Sequence, residues 1–88
     1  MTDVPSSAPV LGGLAIAATG VAHFVAPQAF RGITTLVYPE NTETWTFRNG
    51  VAETLIGIAI AVPRTRSLGW AGLAAYGAVL GMRAVITR

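Results

Sequence analysis

The sequence predicts an all-α membrane protein with three transmembrane helices and a short interfacial segment between the first and the second. Three apolar segments, at about 9–26, 44–62 and 68–86, each approach the roughly 20 residues that a helix needs to cross a bilayer. Hydrophobic residues make up 52% of the chain, charged residues only 11%, and the mean hydropathy is +0.57. Since a soluble domain is about a quarter charged, this composition favours a lipid environment.

The composition also excludes several classes of function. The chain has no cysteine, which rules out a disulfide framework, thiol chemistry and thiolate ligation of a metal. Six arginines oppose four acidic residues, and the only basic run is Pro63-Arg64-Thr65-Arg66. Two arginines in a short loop are typical of a topology signal or a lipid headgroup contact, so nucleic-acid binding is not expected.

The first helix is predicted over residues 9–26, with Pro9 in its first turn and Pro27 just after its end. Because the N-terminus lacks the basic region of a signal peptide, we expect this helix to be retained. Residues 28–43 follow. The spacing of Phe30, Ile33 and Val37 suits one face of a short helix lying in the membrane interface, and a plain covering loop is the alternative.

The second predicted helix must begin before its uninterrupted apolar stretch. Its uninterrupted apolar stretch, 50–62, would rise only about 20 Å, which is short of a hydrocarbon core of about 30 Å. It is therefore expected to begin near Thr42 or Thr44 and to end at Pro63. A third helix over 68–86 would then place the two termini on opposite sides of the membrane. The arginine distribution alone does not fix which side is cytoplasmic.

Small residues recur at helix-packing spacing on all three predicted helices. Such spacing lets helix backbones approach closely, either within one chain or between two copies of it. The positions are Gly13 and Ala17 on the first helix, Gly50, Thr54, Gly57 and Ala61 on the second, and Gly77 and Gly81 on the third.

The alternating helix direction brings several ionisable residues into one leaflet. His23, Glu53 and Arg83 come from the three helices in turn. Glu53 lies on the small-residue stripe, so we expect it to face other helices and to pair with Arg83 or Arg48, because an unpaired carboxylate there is costly. Tyr76 shares a helix face with Arg83 and can add a hydroxyl to this cluster.

Two interpretations of the cluster are open. One is a structural ion pair with His23 as a neutral, hydrogen-bonded neighbour. The other is a functional site, because ionisable groups inside a membrane are functional hypotheses by default. One histidine and one deep glutamate supply too few ligands for a metal or haem, and no nucleophile, base and orienting group occur together. We therefore expect no metal, no resident cofactor and no catalysis by this chain alone.

Three short motifs resemble one family. Gly20-Val21-Ala22-His23-Phe24-Val25-Ala26-Pro27, Gly50-Val51-Ala52-Glu53 with Gly57 four residues on, and Pro63-Arg64-Thr65-Arg66 occur in that order. Together they resemble the DoxX-like small membrane proteins. The resemblance implies that His23 and Glu53 form a polar pair and that the N-terminus and the arginine turn are cytoplasmic. It also implies a four-helix bundle, whereas three crossings are predicted here.

Two functions are carried forward. The first is a non-catalytic accessory or scaffolding subunit that packs against a larger membrane complex, with the Gly77–Gly81 groove taking a partner helix. The second, implied by the resemblance, is a redox-associated subunit in which His23, Glu53, Tyr76 and Arg83 line a quinone site. The expected partners are membrane lipids and other membrane subunits, or a second copy of the chain. The arginine-rich, alanine-rich composition favours a bacterial plasma membrane.

Overall fold

The computed structural model describes the backbone of residues 3–87 and the side chains of residues 8–87. This part of the chain contains no strand, which confirms the predicted all-α class. We number the four helices in chain order. They are α1 (Asp3–Val25), α2 (Gln28–Val37), α3 (Thr42–Ala61) and α4 (Arg66–Ile86), and the short 3₁₀ turn Pro63–Thr65 joins the last two.

The helix boundaries differ from the predicted ones mainly at the start of the chain. Helix α1 begins at Asp3, so Pro9 lies inside the helix and not in its first turn. The segment after Pro27 is helical, which is the first of its two alternatives. Asn41, just before α3, has a left-handed backbone with φ of 58°, a conformation that its short polar side chain tolerates. This residue turns the chain from α2 into α3.

Two of the described helices are long and apolar enough to cross a membrane. The qualifying stretches are Ala8–Val25 in α1 and Pro63–Ile86, which includes α4. Helix α3 has 20 residues and so rises about 30 Å, but polar residues such as Arg48 and Glu53 lower its hydropathy. The third crossing therefore stays a prediction.

Helix α3 lies at the centre of the fold and contacts the other three helices. Its contact with α1 is backbone to backbone. A Cβ atom added at Gly13 would lie 2.6 Å from the backbone nitrogen of Ala61, and one added at Gly20 would lie 2.7 Å from the carbonyl oxygen of Gly50. Such separations are too short for any side chain. The α1–α3 seam, defined by Gly13, Ala17, Gly20, Gly50, Gly57 and Ala61, thus depends on small residues.

The turn between α3 and α4 satisfies the carbonyl groups that the end of α3 leaves free. The Thr65 hydroxyl donates to the carbonyl oxygen of Ala59 at 2.8 Å. The Arg66 guanidinium donates to the carbonyl oxygens of Ile60 and Ala61 at 2.7 and 3.1 Å. Arg66 is therefore held by the protein as a helix cap, and of the two arginines in this turn it is Arg64 that is exposed.

Large apolar side chains cover much of the outer surface. The buried apolar side chains among the described residues are few and include Ile60, which is fully buried. The exposed ones come mostly from α1 and α4, and include Leu11, Leu14, Val21, Val25, Leu68, Val79, Met82 and Val85. Monomeric soluble proteins rarely expose large continuous apolar surfaces, so this outer surface needs lipid or a partner to cover it.

Candidate functional site

A cavity of about 220 Å³ lies between the four helices and collects most of the predicted polar cluster. Each helix contributes to its wall. The lining residues are His23 from α1, Phe30, Ile33, Thr34 and Val37 from α2, Asn49 and Glu53 from α3, and Tyr76 and Leu80 from α4. The structure thus brings His23, Glu53 and Tyr76 to one place.

The hydrogen bond between Tyr76 and Glu53 joins α4 to α3 at this cavity. The Tyr76 hydroxyl donates to Oε2 of Glu53 at 2.8 Å. A hydrogen bond to a carboxylate is charge-assisted and stronger than one between neutral groups. In the described part of the chain, Glu53 takes part in no ion pair. Its second carboxylate oxygen is therefore left for another donor.

The predicted ion pair of Glu53 with Arg83 or Arg48 is wrong. The Arg83 guanidinium lies 4.7 Å from the centre of the Tyr38 ring, and the Arg48 guanidinium lies 4.9 Å from that of Trp45. The two rings stack on each other, with centroids 4.1 Å apart. This aromatic pair beside the α2–α3 turn holds both cations by their attraction to the ring faces, and neither arginine lines the cavity.

His23 is fixed by its backbone and by a neighbouring ring. Its Nδ1 lies 2.8 Å from the carbonyl oxygen of Thr19. Since a carbonyl oxygen only accepts, Nδ1 carries the proton, and Nε2 of the neutral ring is an acceptor. The imidazole stacks on Phe30 with centroids 3.8 Å apart and is 5% exposed. The described residues contain no group of three or more potential metal-binding side chains.

Two polar residues that line the cavity were not predicted from the sequence. Asn49 is 9% exposed and Thr34 is 4% exposed. Neither side chain forms a hydrogen bond with the described residues, although both line the cavity. Asn49 precedes Glu53 by four residues, which places the two side chains on the same helix face. The four-residue spacing from Glu53 could have predicted Asn49 as a cavity residue. No such spacing in the sequence pointed to Thr34.

A second, wider groove of about 510 Å³ lies on the other side of His23. Its wall includes Phe24 and Phe47, whose rings are 5.3 Å apart, and the ion pair between Arg31 and Glu43. Both charged side chains are mostly exposed. Ion pairs in such positions contribute little to stability, so this groove is held together mainly by its apolar contacts.

The small residues of the sequence separate into two groups. The positions on the first two predicted helices all lie at the contact between α1 and α3. They are Gly13, Ala17, Gly50, Gly57 and Ala61 of the α1–α3 seam, together with Thr54, which lies against Gly20. Gly77 and Gly81 do not lie in any contact, because a Cβ atom added at either would meet nothing within 4 Å. Of the two alternatives for the small residues, packing within one chain is therefore wrong for Gly77 and Gly81. Gly69, near the start of α4, is the glycine that lies tightly against Ile60 of α3.

These features define a small helical bundle with a partly open, mostly apolar cavity that several polar side chains line, and with two helices of membrane-crossing length. A family model described as "Domain of unknown function (DUF8561)" matches residues 11–85, and the chain therefore belongs to that family. No curated protein and no solved structure matches the chain.

The resemblance to DoxX-like proteins is wrong, because the family that matches is a different one. The motifs that suggested it have a simpler physical origin. Gly20, Gly50 and Gly57 are required by the close α1–α3 contact, and Thr65 with Arg66 caps the end of α3. Any closely packed helix pair with a short capped turn can carry such residues. The orientation and the missing fourth helix that the resemblance implied lose their basis.

Proposed function

We propose that this protein is a small multi-pass membrane protein that serves as a non-catalytic accessory subunit of a larger complex, with α4 as its docking helix. The placement in a bacterial plasma membrane is part of this proposal. The observation that carries it is the exposed small-residue face of α4. Only 6% of the apolar stretch of α4 is buried inside the protein, against 22% of that of α1.

The exposed residues of α4 differ in kind from those of α1. On α1 they include large side chains such as Leu11, Leu14 and Val25, which suit contact with lipid tails. On α4 a group of small residues is exposed together. They are Ala71, Ala74, Gly77, Ala78 and Gly81, which we call the α4 small-residue face.

Small residues favour contact with a helix over contact with lipid. In a bilayer, helices associate through close van der Waals packing, and glycine and alanine let two backbones approach. The α1–α3 seam of this protein uses the same residue types for this purpose. The α4 small-residue face has the same character but no helix on it, which supports a helix from another chain as its occupant.

Helix α3 is the third crossing in this proposal. Two of its polar residues, Glu53 and Asn49, meet the cavity and so do not have to enter lipid, whereas Arg48 is exposed and lies against the Trp45 ring. Its length of about 30 Å matches the hydrocarbon core. The quinone-linked alternative stays an untested prediction. The resemblance to DoxX-like proteins that suggested it is wrong, and the cavity shows no feature that favours a quinone in particular.

Purification of the tagged full-length chain from its own membranes tests the proposal. In a mild detergent we expect a stoichiometric second subunit to co-purify. Replacing Gly77 and Gly81 together by leucine fills the α4 small-residue face and should release that subunit while the variant stays inserted and folded. The matched control replaces Gly12 and Gly32 by leucine, because these glycines also have nothing within 4 Å.

Three outcomes contradict the proposal. They are a chain that purifies without a partner, a partner that stays bound to the Gly77 and Gly81 double variant, and a partner that is lost equally from the control. A homo-oligomer that dissociates only in the double variant would assign the α4 small-residue face to a second copy and refute the accessory subunit.

A further inference from the structure

The cavity between the four helices contains polar side chains with unused hydrogen-bonding capacity. Buried polar groups in proteins are nearly always hydrogen-bonded to protein or to ordered molecules. Asn49 is more than nine-tenths buried and Thr34 is more buried still, yet neither side chain has a hydrogen-bond partner among the described residues. Their polar atoms are open to the cavity, since Nε of Arg83 is the buried side-chain atom without a partner among the described residues, so a molecule in the cavity can complete their hydrogen bonds.

His23 and Glu53 each present a hydrogen-bond acceptor to the cavity. The proton of His23 is committed to Thr19, so Nε2 can only accept while the ring is neutral. Glu53 receives the Tyr76 hydroxyl at Oε2 and keeps Oε1 as an acceptor. Asn49 and Thr34 can serve in either role. A molecule that fits this set must therefore donate hydrogen bonds.

The cavity also has a carboxylate, that of Glu53, without an ion-pair partner in the described part of the chain. The two arginines that could neutralise Glu53 lie instead against the Tyr38 and Trp45 rings, and the described part of the chain has no ion pair at Glu53. Glu53 is half-buried, and a partly desolvated carboxylate without a counter-ion is costly, so a positively charged donor is favoured over a neutral one.

Size and apolar lining define the rest of the molecule. Phe30, Ile33, Val37 and Leu80 supply the apolar part of the lining. An apolar cavity of about 150 Å³ admits a benzene molecule, so 220 Å³ has room for a single ring with a short substituent. We propose that this cavity binds a small organic ammonium ion, with the ammonium at Glu53, His23 and Asn49 and the apolar part against the α2 side. This site is independent of the docking face on α4.

Phenethylammonium and its neutral analogue 2-phenylethanol are suitable probes, since they share a ring and a chain and differ in the terminal group. Binding to the full-length protein in detergent micelles is measured by calorimetry and by the side-chain amide resonance of Asn49. We expect phenethylammonium to bind more tightly than the alcohol and to shift that resonance. Glu53→Gln should weaken phenethylammonium binding by at least about tenfold, because it removes a desolvated charge partner, while changing the alcohol's affinity by less than about threefold.

Glu43→Gln is the matched control, because it makes the same change in an exposed carboxylate outside the cavity and should alter neither affinity. The comparison of the two probes on the unaltered protein needs no variant and stands even if Glu53→Gln does not fold. The proposal is overturned if the unaltered protein does not bind phenethylammonium, if both probes bind equally, or if Glu43→Gln weakens binding as much as Glu53→Gln.

Discussion

At the scale of single residues, the charged side chains Glu53, Arg48 and Arg83 contact aromatic residues and do not pair with each other. Glu53 bonds to a tyrosine hydroxyl although the chain has six arginines. Arg83 and Arg48 lie on aromatic rings, and Nε of Arg83 is buried without a hydrogen-bond partner among the described residues. The sequence predicted His23, Glu53 and Arg83 in one leaflet, with Tyr76 on the same helix face as Arg83. It could not show that the stacked Tyr38 and Trp45 rings would hold the cations.

The bond between Tyr76 and Glu53 can be tested by removing one oxygen. Tyr76→Phe leaves the ring in place and the carboxylate without its donor. We expect a loss of about 1–3 kcal/mol in the free energy of unfolding, because the bond is part-buried and a hydrogen bond to a charged group contributes more than a neutral one. Thermal or denaturant unfolding in detergent measures this loss.

Tyr38→Phe is the control for that experiment. It removes the same oxygen, but the Tyr38 hydroxyl makes no hydrogen bond with the described residues, and its contacts with Trp45 and Arg83 depend on the ring. Its effect should be clearly smaller. Equal effects of the two variants would show that the bond to Glu53 adds nothing to stability.

At the scale of helices, the sequence predicted the apolar segments well and their contacts only in part. The three apolar segments of the sequence correspond to α1, α3 and α4, and two of these helices are long and apolar enough to cross a membrane. The pattern in α2 was too short to separate a helix from a loop. Glycine spacing was equally regular in α3 and α4, yet Gly57 lies in a tight seam and Gly77 faces open space. The spacing of glycines predicts which helix face they share, but it does not predict whether another helix packs against that face.

This difference between the glycines predicts opposite effects of the same substitution. In Gly57→Ala the added methyl group would meet the backbone of Ala17, which cannot move without separating α1 from α3. We expect a loss of about 1–3 kcal/mol in the free energy of unfolding, as for other overpacked sites. In Gly77→Ala the methyl group meets nothing, and the higher helix propensity of alanine should add up to about 1 kcal/mol.

The free energies of unfolding of both variants, measured under the same conditions, test whether α1 and α3 are in backbone contact at Gly57. A loss confined to Gly57→Ala is the expected result. A Gly57→Ala protein as stable as the unaltered one would mean that the helices are not in backbone contact there.

At the scale of the whole molecule, the central question is how many helices cross the membrane. Two described helices have the necessary length and composition, and α3 lies between α1 and α4 with Asn49 and Glu53 on the cavity. With two crossings the termini lie on the same side of the bilayer. With α3 as the third crossing they lie on opposite sides, and the α4 small-residue face is presented within the membrane to a partner helix.

Cysteine accessibility decides between these arrangements, because the chain has no cysteine of its own. Single cysteines at Thr2 and Arg88, which lie outside the described residues, can be labelled with a membrane-impermeant maleimide in sealed vesicles of each orientation. Our account predicts that each orientation exposes one of the two positions and protects the other. Labelling of both positions in the same vesicles would contradict the three-crossing membrane subunit.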